Sequence, residues 1–144
     1  RLPEAERALL ADYRRSGLSR GHMAAAGDMA TRFGKAQSYS LANMVPQDPT
    51  QNGKPWAQIE KDTRRYIRRA QGDVYVITGP VFGPHPRKIG AGQVWVPDAI
   101  FKMVYDPATG QRWVHLQANQ TSTRATKPIS YEAFVRRTGI RLVD

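Results

Sequence analysis

The chain has 144 residues, the length of one ordinary domain, and 40% of them are hydrophobic, which is enough to bury a core. The absence of cysteine excludes a disulfide scaffold, a thiolate zinc site and a cysteine nucleophile. Lys and Arg number 22 against 12 Asp and Glu, which gives a net charge of +10, and Arg outnumbers Lys 16 to 6. A guanidinium group binds phosphate through two parallel hydrogen bonds. The excess of arginine therefore favours a nucleic acid as the partner, over a charge that serves solubility alone or attraction to an anionic membrane.

The first part of the chain is predicted to consist of short elements. We expect a helix over Glu4–Arg15 and a strand over Leu18–Met23. A polar turn or a single helical turn should follow over Asp28–Lys35. A second strand is predicted over Ser38–Val45, ended by Pro46. No apolar run reaches the length of a membrane-spanning helix, so no membrane is expected as a partner.

The middle of the chain predicts a loop and then a clear amphipathic helix. Asp-Pro, Asn-Gly and a further Pro break regular structure over Gln47–Pro55, which indicates a loop. Apolar residues recur at helical spacing over Pro55–Gln71, with Lys and Arg on the other faces. Gly72 suits the end of this helix.

The last part of the chain is dominated by strand patterns. The predicted elements are strands over Asp73–Thr78, Val94–Val96, Ala99–Tyr105 and Arg112–Ala118, a hairpin turn at Asp106–Gly110, and a helix over Tyr131–Thr138 capped by Ser130. Strands and helices do not alternate regularly, so the fold class is α+β, with a mostly antiparallel mixed sheet flanked by helices. We expect the three tryptophans to lie in the core rather than to stack on bases.

Phosphodiester chemistry is indicated by five polar side chains in one ordered set: His22, Asn43, Asn52, Glu60 and Arg64. Histidine has a pKa close to neutrality and accepts a proton from water, which is the role open to His22. An uncharged amide oxygen such as that of Asn52 suits a hard cation such as Mg²⁺. Glu60 lies one helical turn before Arg64, so both project from one face. Taken singly, each has a plainer interpretation: a structural histidine, an Asn-Gly turn and an ion pair on a helix surface.

These residues carry a resemblance to a known family. The run from Ser19 to Ala24 resembles the Asp-Arg-Gly-His signature of the DNA/RNA non-specific endonucleases, which include Serratia-type nucleases and endonuclease G. The run from Ser40 to Gln47 resembles the second motif of the family. The third motif is matched by Asn52, Trp56, Glu60 and Arg64. The resemblance continues through the later strands, so it covers nearly the whole chain and implies the ββα-metal, or His-Me finger, nuclease fold.

The resemblance also implies a role for each site residue. His22 would be the general base, with Asn43 helping to position it. Asn52 would be the direct ligand of Mg²⁺, for which Mn²⁺ can substitute, and Glu60 would hold the ion through bound waters. The phosphate contacts would come from Arg20, Arg64 and, from its place on the helix, Arg68. The expected activity is metal-dependent hydrolysis of DNA and RNA with little sequence specificity.

Two departures from the family pattern qualify the resemblance. Ser19 stands where many members have Asp, which predicts altered tuning of the metal site or of substrate preference. Family domains carry more chain upstream, so residues 1–144 are expected to form a single nuclease domain that lacks an upstream segment, which a second chain could supply.

Two other classes of function remain open alongside the nuclease. One is a non-catalytic or fragmentary homologue that binds nucleic acid without cutting it. The other is an effector or toxin nuclease controlled by an immunity or inhibitor protein. The lack of cysteine fits a secreted or periplasmic bacterial protein.

Overall fold

The N-terminal part of the fold leads through short elements into a two-stranded ribbon. The description rests on a computed structural model and covers residues 2–144. The elements in chain order are a 3₁₀ turn at Glu4–Glu6, helix α1 (Leu10–Tyr13), strand β1 (Ser19–His22), a 3₁₀ turn at Ala26–Asp28, helix α2 (Arg32–Ser38), a 3₁₀ turn at Leu41–Asn43 and strand β2 (Met44–Gln47). The two strands pair antiparallel, with Ser19 opposite Gln47 and His22 opposite Met44. The strand predicted over Leu18–Met23 is thereby confirmed.

In the N-terminal part of the chain, the first helix and the second strand differ from the prediction. The predicted helix over Glu4–Arg15 is interrupted, because the buried Asp12 carboxylate accepts hydrogen bonds from the backbone N–H groups of Leu9 (2.8 Å) and Gly92 (2.7 Å). The second strand, predicted over Ser38–Val45, begins only at Met44 and includes Pro46. Proline is tolerated there because β2 pairs with β1 alone, so no strand on its other side requires an N–H donor from Pro46.

A helical segment, rather than the predicted loop, follows β2. It comprises α3 (Pro49–Gln51), a wide turn of π-helix type (Asn52–Trp56) and α4 (Ala57–Ile67). The Asp48 carboxylate caps this segment by accepting hydrogen bonds from the N–H groups of Thr50 and Gln51, both at 2.9 Å. Pro55 has no N–H to donate within a regular helix, and the wide turn accommodates it.

The rest of the chain forms a larger antiparallel sheet and a small hairpin. The elements are β3 (Tyr75–Val81), β4 (Lys88–Ile89), β5 (Val94–Trp95), β6 (Ala99–Asp106), β7 (Gln111–Ala118), β8 (Ile129–Ser130) and α5 (Tyr131–Thr138). The larger sheet has the order β3-β6-β7-β8, while β4 and β5 pair with each other. The last helix is confirmed as predicted, with the Ser130 hydroxyl accepting from the N–H of Ala133 at 3.1 Å. β3 runs past Gly79 through Pro80, which its position at the sheet edge permits.

The larger sheet lies between two helices. On one face of β6, Phe101 and Met103 pack with Phe134 of α5. On the other face, Ile100 packs with Trp56 and Ile59 of the α4 segment. The predicted α+β class, with a mostly antiparallel sheet flanked by helices, is therefore confirmed. Within residues 2–144, no helix combines the length and the apolarity needed to cross a bilayer.

Candidate functional site

The alternation of β1 places His22 and Arg20 on one face of the ribbon. Arg20 is exposed and His22 is half-buried, while Gly21 between them is buried. A Cβ at Gly21 would collide with the side-chain amide of Gln47 and lie 2.7 Å from its Cβ. The glycine in the predicted signature is thus explained by packing inside the ribbon, and it lets β1 and β2 approach closely beneath His22.

The surroundings of His22 favour a neutral imidazole. Burial lowers its pKa from 6.5, and the positive charge of Arg20 lowers the pKa further. Nε2 is buried and has no hydrogen-bond partner within residues 2–144, so Nδ1 is the nitrogen that can meet water. The ring packs edge-on against Tyr39, with 4.7 Å between the ring centroids. Both effects favour the neutral form, which has a ring nitrogen that can accept a proton.

Asn43 touches the chain next to His22 rather than the imidazole itself. Its Oδ1 accepts from the N–H of Ala24, and its Nδ2 donates to the carbonyl oxygens of Ala24 and Ser38, each at 2.9 Å. The N–H of Met23 donates to the Asn43 carbonyl at 2.8 Å. These four bonds join Asn43 to Met23 and Ala24, directly after β1, and to Ser38 at the end of α2, so Asn43 contacts the backbone next to His22.

The wide turn brings Asn52 and Glu60 toward the same side of the helical segment. In a regular α-helix eight residues rotate by 800°, which would leave the two about 80° apart. A π-type turn contains about one residue more than an α-helical turn. The angle between the directions of the two side chains around the helix axis therefore falls to roughly 20°. Both side chains are half-buried, and within residues 2–144 the side-chain amide of Asn52 makes no hydrogen bond, while its backbone N–H donates to the carbonyl of Asp48 at 2.9 Å.

Arg64 pairs with an acidic residue that sequence analysis missed. Its Nη1 lies 2.9 Å from Oδ1 of Asp28, in the 3₁₀ turn after β1, and the guanidinium packs over Gly27. The plainer interpretation, an ion pair between Arg64 and Glu60, is not the contact that forms. Nothing in the local sequence pattern singles out Asp28, because the turn and the helix are 36 residues apart.

Glu60 faces a buried cation from the central strand. Burial raises the pKa of Glu60 above 4.5, against the opposing effects of the charges on Lys102 and Arg64. Lys102 is 1% exposed, donates to the Thr78 hydroxyl at 2.7 Å and lies 5.7 Å from the centroid of the Trp56 ring. A single lysine within the apolar run Ala99–Tyr105 was the available signal for it.

The fold brings together some of the predicted site residues and leaves others at the rim. His22, Asn43 and Arg64 are linked through the segment that follows β1. Arg20 is exposed beside His22. Arg68 is also exposed and caps the C-terminal end of α4, one turn beyond Arg64.

The donor set fits a hard cation held mostly by water. Within residues 2–144, no three His, Cys, Asp or Glu side chains cluster as an all-protein metal site. Asn52 offers a neutral amide oxygen, and Glu60 offers a carboxylate eight residues further along the helical segment. Mg²⁺, which retains most of its waters, is compatible with such a pair.

Comparisons with known proteins show the family of the chain and agree with its fold. The sequence profile of the DNA/RNA non-specific endonucleases matches residues 1–140. Similar proteins include mitochondrial nuclease EXOG of Mus musculus, at 33% identity over 93% of this chain, and nuclease C1 of Cunninghamella echinulata var. echinulata, at 36% over 79%. Mitochondrial endonuclease G of Homo sapiens is 37% identical over 72% of the chain. A solved EndoG in complex with EndoGI superposes on 98% of the chain, with a TM-score of 0.85 and 29% identity.

The chain spans only part of each of these relatives. It covers 36% of the mouse nuclease, 49% of nuclease C1 and 38% of human endonuclease G. It covers 65% of the solved EndoG chain. None of the comparisons supports the expectation of a second chain that supplies an upstream segment.

The comparisons also correct the expected location. The absence of cysteine indicated a secreted or periplasmic bacterial protein, but similar proteins from mouse, human and cattle are mitochondrial nucleases of eukaryotes. The prediction was wrong because a lack of cysteine is compatible with many compartments and identifies none of them.

Proposed function

Because the chain belongs to the family of DNA/RNA non-specific endonucleases, we propose that it is a metal-dependent nuclease that hydrolyses phosphodiester bonds in DNA and RNA with little sequence specificity. The observation that carries the proposal is the half-buried, neutral His22 beside the exposed Arg20 on one face of β1. A neutral imidazole next to a phosphate-binding cation is what activation of water at a phosphodiester requires.

In the proposed mechanism, His22 takes a proton from the attacking water at Nδ1. Nε2 is buried and carries the ring proton in the tautomer that leaves Nδ1 free to accept. Asn43 positions the imidazole indirectly, through its bonds to Ala24. The edge of Tyr39 restricts rotation of the ring. As the water oxygen bonds to phosphorus, the bond from phosphorus to the leaving oxygen breaks and that oxygen takes a proton from solvent. Arg20 and Arg64 stabilise the negative charge that develops on the phosphate oxygens.

Arg64 is held in place for this role. One of its N–H groups is committed to Asp28, and the remaining donors of the guanidinium are free for a phosphate. Fixing a long side chain beforehand lowers the entropy lost when substrate binds. Arg20 and Arg68, both exposed, would contact the phosphates on either side of the cleaved bond.

The residues that would hold the metal are Asn52, directly, and Glu60, through bound waters. Mg²⁺, or Mn²⁺ in its place, would supply charge neutralisation at the phosphate and the leaving oxygen. Burial raises the pKa of the half-buried Glu60, and the positive charges of Lys102 and Arg64 oppose that rise. Ser19 lies opposite Gln47 in the ribbon and presents a hydroxyl where many relatives have a carboxylate, which reduces the negative charge near the site.

Contacts to phosphate carry no base information, so the proposed substrates are DNA and RNA alike. A protein inhibitor is a further proposed partner, because the similar solved structure is a complex of EndoG with EndoGI.

Digestion of plasmid DNA and of RNA, with Mg²⁺ and with EDTA, tests the proposal. We expect cleavage only with the metal. His22→Ala should lower turnover by about 10²–10⁴-fold, because general-base assistance is worth that much, while binding of DNA persists. Asn52→Ala should lower activity and weaken its dependence on Mg²⁺.

His85→Ala is the matched control, since His85 is an exposed loop residue. Binding without cleavage by the parent protein would favour the non-catalytic homologue. Equal turnover in the His22 variant and the parent would refute the assignment of the base.

A further inference from the structure

Two aromatic side chains are exposed together beside the small hairpin. Trp95 is 51% exposed and Phe82 is 39% exposed. Their rings meet edge to face, with 5.6 Å between the centroids. The expectation that all three tryptophans lie in the core is wrong for Trp95, whereas Trp56 is fully buried. Exposed large rings lose the free energy that burial would give them, so a paired set of them marks a candidate binding surface.

The hairpin under these rings is packed against the core. Val96 and Ile89 on either side of the hairpin are buried against Tyr13, and Val96 donates its N–H to the carbonyl of Arg87 at 2.7 Å. Strand alternation then turns Trp95 outward because its neighbour Val96 points inward. The indole is therefore presented by the hairpin itself rather than by a loose loop.

Two basic side chains lie beside the aromatic pair, and further arginines lie between the hairpin and the candidate active site. Lys88 lies opposite Trp95 in the hairpin, and the adjacent Arg87 donates to the carbonyl of Ser16 at 3.4 Å, in the turn that precedes β1. Two carboxylates lie near these cations: Asp98 beside Gly83, and the buried Asp12, which accepts from the N–H of Gly92. A cleft of about 530 Å³ lined by Arg14 and Arg20 lies next to this turn. The basic surface thus extends from His22 through Arg20 to the hairpin.

We propose that Phe82 and Trp95 form a stacking platform for unpaired bases of a single-stranded nucleic acid, whose backbone follows the arginine-lined cleft to His22. A basic groove with exposed aromatic rings is the combination that single-strand binding requires, because every base offers a π face. Bases inside a duplex are stacked on each other and cannot reach the platform. The inference rests on the proposed function and adds to it a preference for single-stranded or locally unpaired substrate.

Binding without cleavage tests the platform. The full chain in EDTA is titrated into a fluorescein-labelled 20-nucleotide oligo-dT and, separately, into a labelled 20-base-pair duplex, with anisotropy as readout. Because stacking of one base is worth about 1–3 kcal/mol, Trp95→Ala should raise Kd for oligo-dT by roughly 5- to 150-fold, and Kd for the duplex by less than about twofold. Trp95→Phe should recover part of the loss. Tyr75→Ala is the matched control, because Tyr75 is an aromatic residue, 58% exposed, on the edge strand β3.

The outcomes separate this inference from the proposed function. A parent protein that binds neither probe would refute both. If the parent binds both probes and Trp95→Ala leaves both Kd values unchanged, the stacking platform alone is overturned. The aromatic pair would then be assigned to binding a protein partner. An equal loss on oligo-dT and duplex, or the same loss in Tyr75→Ala, would also overturn it.

Discussion

His22 combines two environments that act on its pKa in the same direction. Burial lowers the pKa from 6.5, and Arg20 lowers it further. The proposed base must be neutral to accept a proton, so we expect activity to be retained as pH falls until the lowered pKa is reached. We expect the acid limb of a kcat/KM profile to lie below pH 6.5, the ordinary histidine value. Arg20→Gln should move that limb to higher pH, because one of the two lowering effects is removed.

Movement of the acid limb in Arg20→Gln would identify His22 as the residue whose titration produces it. Glu60 has a raised pKa and also loses its charge in acid, but Arg20 is not among the groups that act on it. Arg14→Gln is the control, since it removes a nearby exposed arginine that does not act on His22. An unchanged limb in Arg20→Gln would assign the limb to another group.

At the level of elements, the close approach of β1 and β2 depends on Gly21. Any Cβ at this position meets the buried side chain of Gln47. The Gln47 side-chain amide donates to Gln51 at 2.6 Å, and the Gln51 side-chain amide donates in turn to Gln117 at 2.9 Å. Gly21→Ala should therefore destabilise the fold by about 1–3 kcal/mol, as overpacking does. Urea denaturation measures the difference.

Gly53→Ala is the contrasting variant. Gly53 lies in the helical segment with open space around it, so alanine should be neutral or stabilise by up to about 1 kcal/mol. Equal destabilisation by both variants would show that the ribbon does not depend on the Gly21 contact.

For the whole molecule, the net charge of +10 predicts binding that weakens with salt, and individual arginines contribute unequally. Arg65 is paired with Asp62 at 3.5 Å on the surface, whereas Arg68 caps the end of α4 with its side chain exposed. Each lost phosphate contact should lower the slope of log affinity against log salt by roughly 0.9 on duplex DNA. We expect this change for Arg68→Ala and none for Arg65→Ala.

Two duplexes of unrelated sequence serve as probes for that titration. The loss should be the same on both, because phosphate contacts carry no base information. A change confined to one duplex, or identical slopes for both variants and the parent, would argue against contacts to the backbone.

Local patterns determined the elements whose stabilisation is itself local. The amphipathic spacing of the helix around Ile59, the turn at Asp106–Gly110 and the Ser130 cap each act within a few residues, so the sequence predicted them correctly. The ordered set His22, Asn52, Glu60 and Arg64 also indicated the family, which the profile over residues 1–140 shows.

Only the tertiary structure decided the features that join distant segments. Asp12 interrupts the first predicted helix because it is bonded to Gly92, and Arg64 turns to Asp28 rather than to Glu60. The wide turn that aligns Asn52 with Glu60 arises where an N-cap at Asp48 starts a helix that must accommodate Pro55. Trp95 faces solvent because its hairpin packs on the opposite side. In each case the deciding partner lies outside the reach of local periodicity, so its effect appears only when the chain is folded.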